Sequence, residues 1–96
     1  MEIIEKIKIA DPLGLHLSFA AEIVKTSSAF KCRISMEHHH RQANGKSLLN
    51  LVALGAGYGS EIKITFEGKD AWKAQKSIHE LLISGFSKTR ERVMVP

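Results

Sequence analysis

His16 is the residue best suited to chemistry in this sequence, because it stands where a turn-forming stretch, residues 12–15, enters a predicted helix. A helix start exposes backbone N–H groups without intrahelical partners and carries the positive end of the helix dipole, so it attracts anions. The imidazole can act there as a nucleophile toward a phosphoryl group, while the N–H groups of Leu17 and Ser18 receive the phosphate oxygens. The alternative is a histidine that merely caps the helix, which the local sequence by itself favours.

Ser47 repeats this arrangement at a second predicted helix start, after a turn at Asn44-Gly45. A serine at such a position is most often a cap, whose oxygen accepts a hydrogen bond from a backbone N–H. The functional interpretation is a phosphorylation site, since a phosphate with a charge of about −2 is well accommodated at a helix N-terminus. The helix then offers three apolar side chains on one side, Leu48, Leu49 and Val52.

Three further features do not indicate a site. The glycine-rich run 55–59 joins a helix to a strand and lacks the Gly-Lys-Ser/Thr ending of a P-loop, so we interpret it as a permissive loop. Successive side chains of the histidine run 38–40 point to opposite faces of an extended segment, and no carboxylate or cysteine set completes a metal site. Cys32 is the only cysteine, which excludes an internal disulfide and a cysteine-based zinc finger. We therefore expect no metal and no cofactor.

The elements that position these residues follow from the hydrophobic periodicity. Alternating apolar and polar residues predict strands, and apolar residues at i, i+3 and i+4 predict helices. The predicted elements are a strand over 2–9, a helix over 16–29, strands around 32–37 and 41–43, a short helix over 46–53, a strand over 61–66, and a final helix from Ala71 to a stop at Gly85, capped by Asp70. The order βαββαβα favours an α+β fold, in which an antiparallel sheet is covered on one face by the helices.

The composition fits one domain, with 96 residues of which 44% are apolar and 25% charged. The net charge of +4 suggests nucleic acid as a partner. Half of that excess lies in residues 88–96, however, and the aromatic residues do not alternate with basic ones, so we expect no nucleic-acid partner. We predict a domain at 1–87 and a basic C-terminal tail at 88–96. The sequence has no signal peptide and no run of roughly 18 apolar residues, which indicates a cytoplasmic protein without membrane insertion.

Several motifs, in order and spacing, resemble the HPr phosphocarrier family of the bacterial phosphotransferase system. The stretches that carry the resemblance are Pro12–His16, Ala20-Ala21, Phe30-Lys31, Asn44–Leu49, Leu51–Gly57 and Gly59–Ile62. Together they extend over about residues 2–84. The resemblance implies an HPr-like open-faced β-sandwich, with four antiparallel strands covered on one face by three helices.

The resemblance also implies roles for the residues singled out above. His16 matches the histidine that accepts a phosphoryl group from enzyme I and passes it to enzyme IIA-type proteins. Ser47 matches the serine that HPr kinase/phosphorylase modifies in many bacteria. The apolar patch that docks partner proteins corresponds to Leu48, Leu49 and Val52.

The chain departs from the family pattern directly after His16. Family members continue with a small residue, an arginine and a proline, whereas this chain has Leu17, Ser18 and Phe19. An arginine offers a charged, forked donor to phosphate oxygens, so with Ser18 in its place we expect slower phosphotransfer. We also expect Leu17 and Phe19 to add apolar surface around the site. The alternative function is a regulatory HPr-like binding module that works through Ser47, with weak or no phosphotransfer; nucleic-acid binding is a third.

Overall fold

The computed structural model describes the backbone of residues 1–94 and the side chains of residues 1–84. Seven elements follow one another along the chain: β1 (Glu2–Lys8), α1 (Leu17–Ser27), β2 (Arg33–His38), β3 (Arg41–Asn44), α2 (Leu48–Ala53), β4 (Glu61–Glu67) and α3 (Ala71–Met94). The predicted order βαββαβα is therefore confirmed.

The four strands form one sheet in the order β1-β4-β2-β3, and each neighbouring pair is antiparallel. The register brings apolar residues of the three long strands side by side, as where Phe66 lies between Ile3 and Ile34. Alternate residues of β4 are buried, which matches the period of two that a half-buried strand requires. The three helices contact one another or the sheet and enclose these buried side chains, so the predicted open-faced fold is confirmed.

The core lies between the sheet and the helices. Its largest fully buried apolar side chains come from the three helices, from β2 and β4, and from the residue that follows β1. They are Ile9, Phe19, Ile23, Ile34, Met36, Leu51, Ile62, Ile64, Phe66, Ile78 and Leu82. Helix α1 contributes Phe19, Ala20, Ile23 and Ser27, which recur at the three- and four-residue spacing of one helix face. The expectation that Phe19 adds apolar surface to the site is wrong, because this ring is 0% exposed.

The last helix is longer than its sequence pattern predicted. Helix α3 continues through Gly85, the predicted stop, and extends to Met94. One glycine inside a helix costs only about 1 kcal/mol relative to alanine, and the lysine, arginines and glutamate at 88–92 are good helix formers. The backbone of most of the predicted tail is thus helical, while its side chains lie outside the described residues; the domain boundary at 87 stays a prediction.

Candidate functional site

His16 occupies the N-cap position of α1. Its backbone is extended, with φ −74° and ψ 170°, and its carbonyl oxygen accepts a hydrogen bond from the N–H of Ala20 at 2.9 Å. The imidazole makes no capping hydrogen bond to the helix. The ring therefore does not serve as a side-chain cap, which was the alternative to a chemical role. Its side chain is 24% exposed, so it is accessible to a partner while most of its surface is packed.

A carboxylate that the sequence analysis treated only as part of a turn lies beside this ring. Oδ1 of Asp11 is 3.5 Å from Nε2 of His16, and the Asp11 side chain is 3% exposed. The same oxygen accepts a hydrogen bond from the N–H of Leu13 at 2.9 Å. The sequence signalled only a turn at Asp11, because an aspartate in a turn commonly accepts a hydrogen bond from the backbone N–H two residues further on. It did not indicate that the carboxylate lies beside His16.

The loop that carries His16 is held against the loop after α2. The N–H of Leu15 donates to the carbonyl oxygen of Ala56 at 2.9 Å, and the Leu15 side chain is buried. Gly14 has φ +69°, and a Cβ atom there would lie 2.7 Å from both the Ala56 oxygen and Cα of Gly57. Only glycine fits this contact, because a side chain at position 14 would meet the backbone of the facing loop. The predicted permissive loop at 55–59 therefore also anchors the histidine loop.

The first turn of α1 presents two different surfaces. Leu17 is 59% exposed and Ser18 is exposed, so both flank the histidine on the outside of the molecule. Phe19 points into the core, with its ring centroid 6.2 Å from that of His16. The N–H groups of this turn precede the first intrahelical bond, as the predicted phosphate cradle of Leu17 and Ser18 requires.

Ser47 is the N-cap of α2, as one of the two sequence interpretations predicted. Its Oγ accepts a hydrogen bond from the N–H of Asn50 at 3.4 Å, and its backbone is extended. The neighbouring ammonium of Lys46 donates to the carbonyl oxygen of Phe30 at 2.6 Å, which ties the turn to the end of the segment after α1. The hydroxyl is thus held in place at the helix start while the side chain stays partly exposed.

Some of the apolar side chains of α2 are exposed to solvent and others pack in the core. Leu49 is 76% exposed and Val52 is 37% exposed, as a docking patch requires. Leu48 is partly buried and packs against the core, where it accompanies the fully buried Leu51. Leu48 thus lies between the core face that holds Leu51 and the exposed face that holds Val52, and its part in docking stays a prediction.

The histidine run is extended only at His38, which ends β2; contrary to the sequence interpretation, His39 and His40 form a tight turn to β3. His39 and His40 both have positive φ, at 50° and 66°, which a two-residue hairpin requires. Nδ1 of His38 lies 3.3 Å from the carbonyl oxygen of Leu54, so this ring faces the end of α2. Among the side chains that the structure describes, no three histidines, cysteines or carboxylates are grouped so that they could hold a metal ion.

The fold and the site define a small open-faced β-sandwich with a partly exposed histidine at the start of its first helix. Residues 3–84 match the protein-family model described as "PTS HPr component phosphorylation site". The chain thus belongs to the HPr family of phosphocarrier proteins of the phosphotransferase system.

Individual relatives agree with this assignment. The phosphocarrier protein HPr of Xylella fastidiosa strain Temecula1 is 28% identical over 83 residues, which cover 86% of this chain and 93% of the relative. The HPr of Mycoplasma capricolum is 35% identical over 75 residues, covering 78% and 84%. The crystal structure of HPr-C-His from Thermoanaerobacter tengcongensis superposes with a TM-score of 0.84 at 33% identity, covering 88% of this chain and 96% of that one.

Among the residues that the structure describes, no helix is both long enough and apolar enough to span a bilayer.

Proposed function

We propose that this protein is a phosphocarrier, in which His16 accepts a phosphoryl group from enzyme I and passes it to enzyme IIA-type proteins. The observation that carries the proposal is the position of the imidazole, partly exposed at the N-cap of α1 and not engaged in capping. Membership of the HPr family supports the same role for this residue. The same proposal gives the protein a cytoplasmic location and neither a nucleic acid nor a metal as partner.

The chemistry requires a nucleophile, a phosphate cradle and an accessible approach. A lone pair of the His16 ring forms a nitrogen–phosphorus bond, while the bond from phosphorus to the donor breaks and its electron pair returns to the donor. The backbone N–H groups of Leu17 and Ser18 receive the phosphoryl oxygens at the positive end of α1. Transfer onward reverses these bond changes on the acceptor protein.

Docking in this proposal uses the exposed part of the apolar patch of α2. Leu49 and Val52 offer apolar surface, and the exposed Leu17 extends apolar surface next to the histidine. Because Leu48 packs against the core, it supports the patch from beneath and contributes less to the contact with a partner.

Ser47 provides the proposed regulatory site, and it also supports an alternative function. A phosphate placed there by HPr kinase/phosphorylase would add a charge of about −2 at the start of α2, next to Leu49. In the alternative, the protein is a regulatory binding module that works through Ser47 and transfers phosphate weakly or not at all. The observation that favours this alternative is Ser18, which is exposed beside His16 and brings no positive charge to a phosphoryl group.

The test is phosphorylation by purified enzyme I and phosphoenolpyruvate, followed by analysis for acid-labile, base-stable phosphate. We expect such phosphate on the wild-type protein and none on His16→Ala. A matched control is His40→Ala, since His40 is exposed in the β2–β3 turn and should leave labelling unchanged. A wild-type protein that stays unlabelled under conditions that label an ordinary HPr, but is modified at Ser47 by HPr kinase and ATP, would establish the alternative.

A further inference from the structure

A buried carboxylate beside the proposed phosphoryl acceptor has no part in the mechanism described above. Oδ1 of Asp11 lies 3.5 Å from Nε2 of His16, and its side chain is 3% exposed where the histidine is 24% exposed. We infer that Asp11 is a positioning residue, whose carboxylate holds the proton of the neutral imidazole on Nε2 so that Nδ1 is the nucleophile. This inference rests on the proposed phosphocarrier function and specifies how the same site is prepared.

The loop fixes the carboxylate in this place. Oδ1 of Asp11 accepts the N–H of Leu13, and the carbonyl oxygen of Asp11 accepts the N–H of Gly14, each at 2.9 Å. Both bonds close the turn that leads to His16, and the buried Leu15 anchors the end of that turn. The carboxylate therefore stays beside the ring instead of turning toward solvent.

The orientation of the ring follows from the charge of this carboxylate. A neutral imidazole has one N–H and one lone pair, and the hydrogen-bonding surroundings decide which nitrogen carries the proton. A lone pair on Nε2 would face the negative oxygen of Asp11 and be repelled, whereas an N–H there is attracted. At 3.5 Å the contact is longer than an N–H···O hydrogen bond, so in the resting protein it acts through charge, which burial leaves poorly screened.

The same carboxylate stabilises the ring during transfer. The Nδ1 lone pair forms the new bond to phosphorus, the bond to the donor breaks with its electron pair, and Nε2 keeps its proton throughout. The imidazole thereby gains positive charge, and Asp11 faces that charge from the far side of the ring. The family arginine would instead act on the phosphoryl oxygens, so Asp11 offsets part of what is lost at Ser18 by acting on the other reacting group.

The experiment compares Asp11→Asn and Asp11→Ala with the wild-type protein. Asparagine keeps an oxygen for the N–H of Leu13 and so preserves the turn, whereas alanine removes both the charge and the acceptor. Two quantities are measured: the ring nitrogen shifts of His16 in protein with ¹⁵N-labelled histidine, which report the tautomer, and the initial rate of phosphorylation by enzyme I. Asp70→Asn is the matched control, because Asp70 also accepts backbone N–H groups but does so from the two residues before β2.

We expect the wild-type ring to be in the Nε2–H form when neutral, and the Nδ1–H form to appear in Asp11→Ala. The phosphorylation rate should fall on the order of tenfold in Asp11→Ala and severalfold in Asp11→Asn, and stay unchanged in Asp70→Asn. Wild-type tautomer and rate in both Asp11 variants would overturn the role of Asp11 and leave the phosphocarrier function standing. If the wild-type protein takes up no phosphate, the function fails, and the tautomers alone then decide whether Asp11 directs the ring proton.

Discussion

The carboxylate of Asp70 accepts a hydrogen bond from the backbone N–H of Cys32, with Oδ1 2.9 Å from the nitrogen, and so joins the start of α3 to the residue before β2. Oδ2 of the same group accepts the N–H of Lys31, also at 2.9 Å. These bonds, first that from Lys31, lower the pKa of Asp70 below its usual value of 3.8. The pKa of the Cys32 thiol is raised, mainly because the thiol is buried and secondly because it lies beside the carboxylate of Asp70.

Replacing Asp70 by asparagine should lower the stability of the fold, because one amide oxygen cannot accept both N–H groups in the same way. The contribution of the carboxylate is present above the unfolded-state pKa and is lost as the pH falls through the lower pKa of the folded protein. Urea unfolding at pH 7 should therefore show a lower midpoint for Asp70→Asn, and the two proteins should converge as the pH falls below 3.8. A gap that persists unchanged in acid would contradict this origin.

Alanine at Gly14 should destabilise the protein more than alanine at Gly59. Both glycines have positive φ, at +69° and +80°, where an L residue costs about 1–2 kcal/mol. At Gly14 the new Cβ also meets the backbone at Ala56, whereas at Gly59 nothing lies within 4 Å. We expect a loss of roughly 2–4 kcal/mol for Gly14→Ala and about 1–2 kcal/mol for Gly59→Ala in the free energy of unfolding. Equal losses would show that the contact between the two loops contributes little.

Restoring an arginine at position 18 should speed phosphorylation of His16. Ser18 is exposed in the first turn of α1, so a longer side chain fits there without disturbing the core. A forked cation beside the phosphoryl oxygens should raise the rate of labelling by enzyme I by about tenfold or more. Ser18→Gln is the control for length without charge, and an equal gain from glutamine would show that the charge is not what the natural site lacks.

A charge on the exposed part of the α2 patch should weaken docking and spare the fold. Leu49 is 76% exposed, so Leu49→Asp should change the free energy of unfolding by no more than about 0.5 kcal/mol. The KM of enzyme I for this protein should rise roughly tenfold, as for a contact of moderate importance at an interface. Leu48→Ala is the contrasting variant, since Leu48 packs against the core: it should lose about 1–2 kcal/mol of stability with a smaller effect on KM.

Replacing Phe19 by alanine should lower the free energy of unfolding much more than replacing Leu17 by alanine. The ring of Phe19 is 0% exposed, so Phe19→Ala leaves a cavity and should cost about 3–5 kcal/mol in chemical denaturation. Leu17 is 59% exposed, and Leu17→Ala should stay within about 0.5 kcal/mol of the wild-type protein. A small loss for Phe19→Ala would mean that the first turn of α1 contributes little to the core.

The periodicity of the sequence was sufficient for the order of the elements, but it did not decide where the last helix ends or which way two side chains face. Gly85 looked like a stop, yet a single glycine is a weak signal when good helix formers follow it. Phe19 follows the partly exposed His16 by three residues, and only its place in the packed core shows that it faces inward. Leu48 likewise packs partly against the core, beside the face that holds the buried Leu51.

The sequence by itself determined the fold class, the family resemblance, and the two helix starts at which His16 and Ser47 stand, since these depend on local patterns of residue type and spacing. Only the tertiary structure decided what surrounds them. The contact of the Gly14 loop with Ala56 joins segments about forty residues apart, and the 3.5 Å approach of Asp11 to His16 depends on that loop being closed. Such contacts depend on the three-dimensional path of the backbone, which local periodicity does not specify.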